Sequence, residues 1–273
     1  MFYPEIGELI LVHLPIDWPE IRYVVGKFVE TEPEVWKLPM KGFSAIRKDE
    51  INLNQLCAAF GCSYMAIMLV DDMLDSDARG AHNEIGEDQI ANMAIVLNAC
   101  SDKIVQLLDI DEATKLRISH CLQYMMFETG YGQYLDSRNI QTEESYWRMI
   151  RQKSAPFFTG ALKAGAIMAG ATEANLMDLD LIGQFYGEIL QIHDDLSDCF
   201  EIPATPDWLL GRSALPLLFA TTVDHPEKPE FVDLLNSIEQ PGCLERAQQI
   251  LVNCGAVSYC MHEIMQRSGE ILG

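Results

Sequence analysis

Basic residues are scarce in this chain: 19 Lys and Arg stand against 41 Asp and Glu in 273 residues, a formal net charge of −22. A surface this negative repels polyanions, which argues against nucleic acid or an anionic membrane face as a partner. An anionic ligand would need metal ions and a few local cations to hold it. Pairing signals for cysteine are missing as well. The eight cysteines, at positions 57, 62, 100, 121, 199, 243, 254 and 260, show no CxxC spacing and fall mostly in apolar helical contexts, so they read as reduced core residues of a cytoplasmic protein. No run approaches about 18 consecutive apolar residues, and the start Met1-Phe2-Tyr3-Pro4-Glu5 lacks a basic segment followed by an apolar one. Neither targeting nor membrane anchoring is expected. A Ser/Pro/Gly-rich linker and a midway shift in composition are also absent, so residues 1–273 are expected to form a single domain. There is no alternating run bounded by turn residues, which argues against a sheet.

What is present is helical periodicity. The stretches 51–74, 88–108, 113–135, 143–170, 173–199 and 244–268 carry apolar residues at threes and fours, with good helix formers between them. Start signals stand at Asp49 before Ile51, at Thr142 with Ser145, and at Thr172 with Glu173. The fold class is therefore all-α. Helices of more than twenty residues imply a bundle, which places metal and ligand sites between facing helices.

Two acidic clusters stand out, Asp71-Asp72-Met73-Leu74-Asp75 and Asp194-Asp195-Leu196-Ser197-Asp198. Positions i and i+4 share a helix face, so Asp71 pairs with Asp75 and Asp194 with Asp198. The breaks from Gly80 to Gly86 and from Pro203 to Pro206 lie just beyond them and put both pairs at helix C-termini, where the dipole disfavours acids. Such pairs, with no basic residue between, repel unless a cation intervenes. Hard divalent ions with oxygen ligands are the natural partners, and Mg²⁺ typically binds through one or two carboxylates plus substrate phosphates. The expectation is two metal-binding walls facing one cavity. His193, beside the second cluster, reads as structural, because hard Mg²⁺ prefers oxygen.

With these clusters in hand, the chain resembles the trans-isoprenyl diphosphate synthase (polyprenyl synthetase) family over roughly residues 50–270. The first cluster is similar to the family's first aspartate-rich motif, and Gln191-Ile192-His193-Asp194-Asp195-Leu196-Ser197-Asp198 to its second. Between them Gly132-Gln133-Tyr134-Leu135-Asp136 matches G-Q-x-x-D, and Lys153-Ser154 stands where the family has Lys-Thr. The stretch from Asp207 to Leu218 resembles D-L-x-x-G-K-x-T-L-P-L-L, with Arg212 for the lysine. The resemblance implies the class I isoprenoid synthase bundle around a central cavity. It further implies three Mg²⁺ ions on Asp71, Asp72, Asp75, Asp194, Asp195 and Asp198, gripping the diphosphate of an allylic prenyl substrate. Asp71, Asp75, Asp194 and Lys153 would be catalytic, and Arg79, Lys153, Gln191 and Arg212 would bind diphosphate. Ala66, Ile67, Gln133, Asp136, Phe157 and Phe158 are the implied pocket positions. Ala66 and Ile67, five and four places before the first aspartate, leave the floor unblocked and favour a fifteen-carbon or longer chain. A homodimer is also implied, for which the stretch 88–108 would supply a face.

The pattern fails at one subsite. Chain-lengthening members bind isopentenyl diphosphate through an upstream G-G-K-R-x-R-P segment, a His seven residues before the first aspartate, and an Arg-Arg-Gly after it. Here the upstream region runs from Lys37 to Arg47 without Gly-Gly-Lys-Arg, Tyr64 takes the place of the His, and Ser76-Asp77-Ala78-Arg79-Gly80 offers one Arg. Each lost charge-assisted hydrogen bond costs on the order of 1.5–3 kcal/mol. The expected function is therefore a Mg²⁺-dependent terpene synthase or cyclase of prenyl synthase descent. The alternatives are a prenyltransferase in which Lys37, Lys41 and Arg47 rebuild the second site, a transferase using another acceptor, and, ranked last because both clusters are whole, a non-catalytic partner subunit.

Overall fold

The computed structural model describes residues 2–138, 140, 142–210 and 214–272, and among them there is no strand. The α-helices are α1 (Phe2–Leu11), α2 (Pro19–Glu30), α3 (Leu38–Ile46), α4 (Asn54–Leu74), α5 (His82–Ile85), α6 (Glu87–Gln106), α7 (Glu112–Asp136), α8 (Glu143–Lys153), α9 (Ala155–Met168), α10 (Glu173–Cys199), α11 (Pro206–Leu210), α12 (Leu215–Thr222), α13 (Lys228–Leu235), α14 (Cys243–Asn253) and α15 (Ala256–Leu272). They group into two compact units, one of Met1–Thr129 with Pro156–Gly183, the other of Gly130–Ala155 with Gln184–Gly273.

In the first unit α4 is the central element. It packs along α6 and against α1 and α3, and buries Leu56, Phe60, Met65 and Leu69. Its length and apolarity would suit a membrane crossing, yet its hydrophobic flank is spent inside the protein. A buried hydrogen bond of 2.9 Å from Ser63 to Ser101 ties it to α6. All eight cysteines are free thiols, and Cys57, Cys62, Cys100, Cys121, Cys199 and Cys260 are buried.

The second unit has two apolar clusters. One gathers Trp208, Phe231, Leu244, Ile250 and Leu251; the other joins Tyr146, Met149 and Ile150 of α8 to Ile192 of α10, Leu215 and Leu218 of α12 and Cys260 of α15. Glu188 of α10 is fully buried and accepts from Arg151 of α8 at 2.9 Å, from Gln184 at 2.9 Å and from Arg267 of α15. The Arg267 guanidinium also lies 3.9 Å from the centre of the Trp147 ring. A buried carboxylate is tolerated when paired and hydrogen-bonded in this way.

Helix starts follow the sequence signals in two cases. Thr142 and Ser145 form a capping box at α8, and the Thr172 hydroxyl accepts from the Asn175 N–H at 3.3 Å at the start of α10. The third signal does not hold: α4 begins at Asn54, and Asp49 instead pairs with Arg47. Two expected helices are broken. The stretch 143–170 divides at Ser154 because Pro156 has no N–H to donate to the Gln152 carbonyl four residues back and its ring crowds that carbonyl. The stretch 244–268 divides at Gly255, whose φ of +91° suits glycine.

Two close approaches set the spacing around Ser154. A Cβ on Gly132 of α7 would fall 2.1 Å from the Lys153 backbone nitrogen, and one on Gly187 of α10 would fall 2.6 Å from the Ala155 Cα. Gly132→Ala should therefore force α7 away from α8 and destabilise the protein by about 1–3 kcal/mol, measured by chemical denaturation.

Candidate active site

The first acidic cluster closes α4. Asp71, Asp72 and Asp75 are all half-buried, and Asp75, the C-cap residue, donates its N–H to the Asp71 carbonyl at 2.9 Å. The turn that follows is held by Asp77, which accepts from the Arg79 backbone N–H at 2.8 Å and from its guanidinium at 3.0 Å and 3.2 Å. The Arg79 hydrogen bond keeps the Asp77 carboxyl below its ordinary range. Arg79, an expected diphosphate donor, is thus anchored in an exposed loop. Burial, reinforced by Asp77 and Asp71, raises Asp72 to about 6.

Of the expected pocket positions in this unit, Ala66, Phe157 and Phe158 are buried and Ile67 is half-buried. Tyr64 lies in an aromatic row between Phe28 of α2, with ring centres 6.1 Å apart, and Phe157 of α9, at 5.4 Å. Upstream, Lys37 pairs with Glu34 at 2.5 Å and stands over the Tyr3 ring, while Arg47 pairs with Asp49.

In the second unit, Lys153 at the end of α8 donates to Asp136 at the end of α7 at 2.7 Å, with side chains only 14% and 16% exposed. The Gly132 approach makes this pair possible, since it brings the two backbones together one turn earlier. Gln133 is half-buried. On α10, Asp194 is exposed and Asp198 half-buried, whereas Asp195, expected beside them as a ligand, is only 5% exposed. Its carboxylate accepts from the Tyr146 hydroxyl at 2.7 Å, the Gln191 amide at 3.0 Å and the Leu215 backbone N–H at 2.8 Å. Burial raises it to about 6 against the pull of those three donors. Gln191, expected at the diphosphate, accepts from the Ser154 hydroxyl at 2.7 Å. His193 is exposed, its Nδ1 lying 3.7 Å from Asp194. Arg212 lies outside the described residues.

The donor set fits a hard divalent cation: oxygen ligands in i, i+4 pairs, accessible at helix ends with unfavourable dipoles. Among the described residues no three acidic, His or Cys side chains converge to hold an ion alone. An ion at either pair would complete its shell with water or ligand oxygens, the usual habit of Mg²⁺.

The fold and these motifs have known counterparts. A family model described as polyprenyl synthetase matches residues 38–253, and the chain belongs to that family of trans-isoprenyl diphosphate synthases. It is 27% identical over 241 residues to a short chain isoprenyl diphosphate synthase from Methanothermobacter thermautotrophicus, covering 81% of this chain and 73% of that protein. The crystal structure of a decaprenyl diphosphate synthase from Rhodobacter capsulatus superposes with a TM-score of 0.85 at 20% identity, covering 98% of this chain and 87% of that one. A polyprenyl synthase from Caulobacter crescentus CB15, complexed with calcium and isoprenyl diphosphate, gives a TM-score of 0.78 at 19% identity, covering 97% and 85%. The fold is the all-α isoprenoid synthase fold, as expected.

The charged form of Asp72 is unfavourable in metal-free protein. That penalty is absent below the ordinary carboxylate range near 4, grows as pH rises through it, and is complete above about 6. Asp72→Asn should raise the melting temperature of metal-free protein at pH ~7.5 and leave it unchanged at pH ~3.5, read by thermal denaturation.

Proposed function

We propose that this chain is a divalent-metal-dependent trans-prenyltransferase: it ionises an allylic prenyl diphosphate and joins the resulting cation to an acceptor, isopentenyl diphosphate first among candidates. The observation that carries this is the two i, i+4 carboxylate pairs, Asp71 with Asp75 and Asp194 with Asp198, half-buried or exposed towards helix ends in a member of the polyprenyl synthetase family. The comparisons favour this reading over the cyclase expected from the sequence, since the relative and structures described above carry the names of diphosphate synthases.

When bound, Mg²⁺ supplies Lewis-acid stabilisation of the charge that develops on the departing diphosphate; three ions are the family-based expectation. The chain's own residues do the rest. Asp71 with Asp75, and Asp194 with Asp198, would each hold metal through carboxylate oxygens. Lys153, held by Asp136, would be the cation that α8 offers to diphosphate oxygens. Phe157, Phe158 and Ile67 would keep water from the allylic cation. The chain-length preference stays with the unblocked floor at Ala66 and Ile67.

The cyclase reading stands second on one observation. Tyr64 is held in an aromatic row, and Lys37 and Arg47, two of the three cations named for a second diphosphate, are paired with neighbouring acids.

Incubation with Mg²⁺ and geranyl, farnesyl or geranylgeranyl diphosphate, with and without isopentenyl diphosphate, separates the two. A longer diphosphate formed only with the co-substrate is expected; hydrocarbon or alcohol formed without it would replace prenyl transfer by cyclisation. Asp71→Asn and Asp194→Asn should each lower turnover by at least about 10²-fold while leaving the melting temperature of metal-free protein unchanged or higher, because carboxylate repulsion is relieved. A lost melting transition in either variant would contradict the metal-site assignment.

A further inference from the structure

Adjacent residues on a helix point about 100° apart, so Asp194 and Asp195 leave different faces of α10. The structure divides them sharply. Asp194 has a side chain 67% exposed, while Asp195 is 5% exposed and its two oxygens receive three donors from three helices. Oδ1 takes the Gln191 amide from the preceding turn of α10; Oδ2 takes the Tyr146 hydroxyl of α8 and the Leu215 N–H that opens α12. The last contact is a helix cap supplied from elsewhere in the fold. α12 has Ala214 at its N-cap with no side-chain bond, and Asp195 satisfies one of its orphan N–H groups. Gln191 extends the chain by accepting from Ser154, the C-cap residue of α8 next to Lys153. Both ends of the Gln191 amide are thereby engaged.

We propose that Asp195 and Gln191 are positioning residues rather than ligands of metal or diphosphate: the line Ser154–Gln191–Asp195–Tyr146, closed on the Leu215 N–H, fixes the turn of α10 that presents Asp194 and Asp198 against the end of α8 that presents Lys153. Its catalytic consequence rests on the function proposed above; its structural content does not. An asparagine at 195 keeps one oxygen for the Leu215 N–H and the Tyr146 hydroxyl, and its NH2 is satisfied once the Gln191 amide turns over, with the Ser154 hydroxyl accepting from it; alanine keeps none of these bonds.

The test compares Asp195→Ala, Asp195→Asn and Asp194→Asn by three readouts: hydrogen exchange of the Leu215 amide, kcat, and the Mg²⁺ concentration giving half-maximal turnover. Asp195→Ala should speed exchange at Leu215 by about tenfold and lower kcat on the order of 10²-fold, with half-saturating Mg²⁺ unchanged. Asp195→Asn should restore both exchange and kcat to within about threefold of the native values, while Asp194→Asn raises the Mg²⁺ requirement and leaves Leu215 exchange alone. Tyr146→Phe, which removes one donor, should lower kcat without altering the Mg²⁺ requirement and serves should the alanine variant not fold. If Asp195→Asn raises the Mg²⁺ requirement as Asp194→Asn does, Asp195 is a ligand and the proposal fails; it fails equally if Asp195→Ala leaves exchange and kcat at native values. Native protein inert toward every allylic diphosphate would defeat the proposed function instead, and the exchange data would still decide the role of the Asp195 contacts.

Discussion

A carboxylate withdrawn from water must collect donors or lose its charge, and the second unit is organised around two that are withdrawn. Asp195 gathers Tyr146, Gln191 and the Leu215 N–H; Glu188, two turns earlier on α10, gathers Arg151, Gln184 and Arg267. Their donors come from α8, α12 and α15 as well as from α10 itself, so one helix serves as the common anchor for three others. The arrangement also sorts the acids. The two with three donors each are interior, and Asp194, on the same helix, is exposed. In so acidic a chain, this sorting separates carboxylates enclosed by the fold from one exposed to solvent.

The period of the long helices was legible in the sequence because a helix buried on one face must repeat its apolar residues at threes and fours. For α10 the expected and observed limits, 173–199, coincide. Tertiary demands were less visible. The break at Ser154 depends on Pro156 and on the nearness of Gly132 and Gly187, and only the folded chain reveals the latter. The short helices α2 and α3 open on Pro19 and Pro39, first-turn prolines that suit a helix start but lack the long apolar period of α4 or α10. Within the site, spacing identified the aspartate pairs but could not say which of two adjacent acids turns inward. One clue existed: of the pair, Asp195 follows the buried Ile192 by three residues and so shares its face.

Cation scarcity runs through the whole molecule. Lys37 and Arg47 are matched with Glu34 and Asp49, Lys163 with Asp180, and Arg117 with Glu173. Lys153 is matched as well, but its partner Asp136 shares its largely enclosed setting, where a charge pair is screened less by salt than at the surface. That contrast distinguishes Lys153 from Arg148 and Arg151 on the same helix, which sequence position alone could not do.

The contacts of Gly132 and Gly187 fall on backbone atoms of residues 152–155, not on side chains. Helix spacing at this junction is thus set by main-chain contacts that a change of side chain at 153 leaves in place. Someone seeking new catalysts who exchanged that functional group would still have to supply Asp136 with another partner, whereas a library that varied either glycine would move the frame itself.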